Sequence, residues 1–71
     1  MTDTVALRNV IKNKGLKYNY IARSVGLSPY GLQKKIENEN EFRASEIVKL
    51  SEVLELSVKQ RNDIFFAKAV D

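Results

Sequence analysis

Gln33, Lys34 and Lys35 stand side by side in PYGLQKKI, a segment whose apolar residues Leu32 and Ile36 are spaced as one helix face requires. Such side chains can meet a polyanion. Glutamine pairs with the edge of adenine, and lysine reaches guanine or a phosphate. The next residues, Glu37-Asn38-Glu39-Asn40-Glu41, add three carboxylates. Carboxylates beside phosphates repel, and a phosphate that no cation neutralises keeps its counterions, so their release adds nothing to binding. The chemistry legible here is recognition rather than bond making. With no cysteine and no histidine, the chain lacks disulfide staples, thiolate metal sites and the commonest general base. No nucleophile–base pair, metal cluster or phosphate-cradling glycine loop is visible, so neither an enzyme nor a metal or cofactor is expected.

The elements that must position these residues come from 71 residues, read as one domain over 1–71. The net charge of +3 is unevenly spread: residues 1–35 carry +6 and residues 36–71 carry −3. The basic half suits an anionic partner, and the acidic half does not. No stretch is apolar for the length of a membrane span, and the start MTDTVALRN lacks the order of a signal peptide. The expectation is a soluble, cytoplasmic protein with no membrane and no small-molecule partner.

The pattern predicts five helices and no strands, an all-α fold. The first covers about Val5 to Asn13, with Leu7, Val10 and Ile11 as its stripe and Gly15 after it. The second covers about Tyr18 to Val25, with Ile21, Ala22 and Val25 on one face. Ser28-Pro29 opens the third, which runs to about Glu37. The fourth spans roughly Ala44 to Leu54, with Ile47, Leu50 and Leu54 inward and Glu41 a candidate cap. The fifth opens on the capping box Ser57-Val58-Lys59-Gln60 and ends near Ala69. One face cannot bury Phe65 and Phe66 equally, because neighbours on a helix are turned by roughly 100°.

The segment Lys17 to Glu37, KYNYIARSVGLSPYGLQKKIE, has the spacing of two helices crossing at a sharp corner. Ala22 is small where the helices meet, Gly26 turns the chain, Leu27 plugs the corner, and Leu32 with Ile36 anchors the second helix. This spacing resembles the helix-turn-helix over 17–37 of Cro/repressor-like proteins of bacteria and their phages, five-helix all-α domains. The resemblance covers nearly the whole chain. The tail, EFRASEIVKLSEVLELSVKQRNDIFFAKAV, is similar to the second half of short regulators from phages of low-GC Gram-positive bacteria, and most similar to antirepressors of temperate lactococcal phages. That resemblance implies a partner, the N-terminal DNA-binding domain of the phage repressor, and a switch toward lytic growth.

The chain departs from the DNA-binding members of the family at several positions. Where they carry a small hydroxylated cap followed by glutamine, it has Lys17 and Tyr18. Where they carry an Asn-Gly-basic turn, it has Asn38-Glu39-Asn40-Glu41. Three tyrosines, Tyr18, Tyr20 and Tyr30, cluster beside the acids, and tyrosine suits protein interfaces. Two readings follow. In the first, an antirepressor covers a repressor's DNA-reading face with Tyr18, Tyr20, Tyr30, Gln33, Lys34, Glu37 and Glu39. In the second, a Cro-like repressor or co-repressor contacts operator DNA with Lys17, Ser28, Tyr30, Gln33, Lys34 and Lys35.

Overall fold

The computed structural model describes residues 1–67, and all five helices lie among them. They are α1 (Thr4–Lys14), α2 (Tyr18–Val25), α3 (Pro29–Ile36), α4 (Ala44–Val53) and α5 (Val58–Phe65), with no strand among the described residues. The all-α expectation holds. α5 closes at Phe65 with Phe66 as its C-cap, earlier than the expected end near Ala69, a position outside the described residues. No described helix is long and apolar enough to cross a membrane.

Helix starts follow local chemistry. Asp3 accepts from the Ala6 amide, Ser28 from the Gly31 amide and Ser57 from the Gln60 amide, each satisfying a free N–H of a first turn. Gln60 returns the bond to the Ser57 amide, completing the expected capping box. α4 differs from expectation. Glu41 does not cap it. Arg43 holds the cap position, and Glu46 reaches back to accept from the Arg43 amide at 2.8 Å.

Three helices end in the same way. After α2, Gly26 donates to Arg23 and Leu27 to Ala22. After α3, Asn38 donates to Lys35 and Glu39 to Lys34. After α4, Glu55 donates to Glu52 and Leu56 to Ser51. Each is a left-handed cap that satisfies the last carbonyls of its helix. The residue in the left-handed position is Gly26 (φ 82°), Asn38 (φ 63°) or Glu55 (φ 54°). Glycine and asparagine tolerate that conformation, whereas glutamate carries a Cβ penalty of about 1 kcal/mol. Glu55→Gly is therefore expected to raise stability by about 0.5–1 kcal/mol, read as a higher urea midpoint with an unchanged slope. The Lys14–Glu55 pair that this substitution removes is long, at 3.8 Å, and solvent-exposed, so its removal offsets little.

The core is one cluster: Leu7 from α1, Ile21, Ala22 and Val25 from α2, Leu32 and Ile36 from α3, Ile47 and Leu50 from α4, Leu54 just after it, and Ile64 and Phe65 from α5. α2 packs chiefly on α4 and α3, while α1 touches α3 and α5. Of the two adjacent phenylalanines, Phe65 is buried and meets Phe42 edge-on at 5.3 Å, and Phe66 is 58% exposed. Edge-on aromatic pairs at this separation add modestly to the area they bury.

Candidate functional site

α2 and α3 are joined by Gly26, Leu27 and Ser28 alone. Ala22 is fully buried where the two helices face each other, and Leu27 packs half-buried against the core. Leu32 and Ile36 hold α3 from beneath, so its opposite side faces outward. Tyr30 (67% exposed) and Gln33 stand on that side. Tyr20 on α2 is also exposed, whereas Tyr18 is half-buried and packs against the core. The three tyrosines thus divide: two are available to a partner and one chiefly packs. Burial pushes the Tyr18 phenol up; the Arg8 charge draws it down and Glu37 adds to the rise.

The basic heads of α3 are less free than their positions in the sequence suggest. Lys34 lies over the Tyr30 ring, its Nζ 5.3 Å from the centroid, a cation–π arrangement that makes one unit of these two side chains. Lys35, expected at a DNA-facing surface, is instead turned inward. Its ammonium donates to the Glu46 carboxylate of α4, and both side chains are nearly withdrawn from solvent, at 13% and 11% exposure. Burial alone raises the Glu46 carboxyl, but the Lys35 hydrogen bond, the Arg43 amide and both positive charges outweigh it and hold it below the ordinary value. Ser28, another candidate for phosphate contact, already accepts from the Gly31 amide at 3.0 Å. That cap also accounts for Gly31, where an added Cβ would lie 3.1 Å from the Ser28 hydroxyl.

The acidic turn divides as well. Glu37 is ion-paired with Arg8 of α1 at 3.0 Å, on the surface. Asn38 is exposed but tied back to the first residues: its side-chain amide accepts from the Thr2 N–H and donates to the Thr2 carbonyl, both at 2.8 Å. Beside it, the Thr4 hydroxyl donates to the Ile36 carbonyl. Glu39 and Glu41 are exposed and form no ion pair among the described residues. Only two of the three carboxylates are therefore free to meet a partner. Lys17 is exposed at the N-cap of α2, where no side-chain bond engages it.

Sequence reasoning missed Glu46. It stands four residues before Leu50 on the inward stripe, and a carboxylate there demands a cation, which was the available signal. Among the described residues, no group of three or more His, Cys, Asp or Glu is placed to hold a metal ion. The chain matches no family model, no curated protein and no solved structure.

Proposed function

We propose that the protein is an antirepressor of the phage helix-turn-helix type, which binds the DNA-binding domain of a phage repressor and blocks its access to the operator. The observation that carries this reading is the withdrawal of Lys35 into its pair with Glu46. With Lys34 over Tyr30, Gln33 is the one polar reader of α3 left unengaged, and the free carboxylate of Glu39 stands directly beyond the helix. A surface built from exposed Tyr20 and Tyr30 with an acid beside them suits a basic protein face, and a repressor's DNA-reading face is basic by necessity. The Glu39 carboxylate would repel a phosphate brought to the same place.

The test is a pair of titrations, one against operator DNA at low salt and one against the repressor's DNA-binding domain. The expected result is tight binding to the repressor domain and weak binding to DNA. Glu39→Lys should weaken the protein complex severalfold, and Tyr30→Ala, which removes an exposed aromatic without opening the core, by roughly tenfold or more. Tight operator binding by this protein alone, with a steep salt slope, would overturn the reading in favour of a Cro-like repressor using Lys17, Gln33 and Lys34.

A further inference from the structure

The two lysines of α3 are engaged in different ways. Lys34 lies over the ring of Tyr30, a neighbour on the same helix that is itself exposed, so this pair stays at the surface. Lys35 is held by a residue of another helix, and its charge is taken out of water. A lysine head withdrawn to 13% exposure persists only beside a counter-charge. Among the described residues Glu46 is the one acid that pairs with it.

Without Glu46 the ammonium would return to water, because the lysine stem is long and flexible enough to carry its head to the surface. Arg43 would drive it the same way. Its charge acts on Glu46 alongside that of Lys35, so losing the carboxylate leaves two cations facing each other. Successive residues on a helix are turned by roughly 100°, so the released head would emerge beside Lys34, at the edge of the outward side of α3.

We infer, resting on the antirepressor reading, that Glu46 sets which class of partner α3 meets. By drawing the Lys35 ammonium inward it removes from this face a cation that would hold a nucleic-acid phosphate and repel a basic protein. Glu46 touches neither partner. It is a positioning residue that acts through Lys35.

The experiment compares Glu46→Leu with the parent in two titrations, one with a DNA duplex of arbitrary sequence and one with the repressor's DNA-binding domain. A released lysine adds one phosphate contact. Duplex affinity should therefore rise by about tenfold at about 50 mM salt, and its logarithmic salt slope should steepen by about 0.9. Affinity for the repressor domain should fall by roughly threefold, because the same cation now meets a basic face. Two controls isolate the ammonium. Lys35→Met with Glu46→Leu loses the same bond to the Arg43 amide and keeps the parent's net charge, so it should bind duplex as the parent does. Glu52→Gln, at an exposed position of α4 in no ion pair among the described residues, gains the same charge as Glu46→Leu without releasing Lys35, and should leave the slope unchanged. Circular dichroism checks that each variant is folded. Glu46→Gln, which keeps an acceptor for the Arg43 amide, should move both affinities in the same directions and stands in if the leucine variant unfolds. A duplex affinity for Glu46→Leu no higher than the parent's, or matched by either control, overturns the inference and leaves the antirepressor reading in place. Tight duplex binding by the parent itself overturns both.

Discussion

Lys35→Met is expected to destabilise the protein by about 2–3 kcal/mol, a large fraction of what a domain this small holds in total. The substitution keeps the length of the side chain and most of its packing. It removes the ammonium that faces Glu46, leaving a carboxylate of 11% side-chain exposure with the Arg43 amide as its one remaining hydrogen-bond donor. Glu46→Leu should cost less, because a lysine can extend its amine to water along its flexible stem. The double variant Lys35→Met with Glu46→Leu is expected to lie near the parent or above it, since replacing both members of a buried pair by apolar groups removes the desolvation cost of each. Urea unfolding of all four proteins measures the cycle. If the double variant were as unstable as Lys35→Met alone, the pair would have a packing role that charge does not explain.

The same pair sets a pH dependence. The Glu46 carboxyl is held below its ordinary value of 4.5 in the folded chain. A group depressed on folding contributes stability that is fully present above the unfolded value and is lost as pH falls through the folded one. The parent is therefore expected to lose stability below about pH 4.5, and the gap between it and Lys35→Met should narrow as acid protonates Glu46. An unchanged gap at about pH 3 would sink this account.

The second large effect is expected at Asn38. Asn38→Ala should cost about 3 kcal/mol and Asn38→Gly about 2 kcal/mol, from two separable causes. Both substitutions remove the side-chain amide that pairs with the N–H and carbonyl of buried Thr2. Alanine adds the cost of a Cβ at φ 63°, which glycine avoids. The difference between the two variants isolates the backbone contribution, and the glycine variant alone measures the tie to Thr2. Thermal unfolding followed by circular dichroism is sufficient. Equal losses in the two variants would mean that the left-handed conformation costs alanine nothing at this position.

The legible parts of this molecule are those whose causes are local. α2 lies over Tyr18–Val25 as its apolar spacing and Gly26 require, and the other four begin within about a residue of their caps. Gly15 takes the left-handed position its place after α1 suits, and Gly26 turns the chain after α2, also in a left-handed conformation. The parts that were not legible depend on residues far apart in the chain. Lys35 looks like a solvated or DNA-facing base until Glu46, on another helix, turns it inward. Asn38 looks like one of five similar polar residues in an acidic run until Thr2 is brought beside it. Glu37 looks free until Arg8 meets it. The acidic run therefore has two halves of different origin. Glu37 and Asn38 hold α1 and the first residues against the end of α3, and Glu39 and Glu41 are exposed.

The first residues are tied twice, to Asn38 by Thr2 and to α5 by the Asp3 amide, which donates to the Ile64 carbonyl at 2.7 Å. That second bond joins parts of the chain about sixty residues apart, so its formation must await the closure of nearly the whole polypeptide. The α2–α3 corner is closed by three residues and is local in the chain, whereas α1 and α5 meet across most of its length. In hydrogen exchange Asp3 and α5 should then behave as a single cooperative unit, with the Asp3 amide protected alongside the amides of α5.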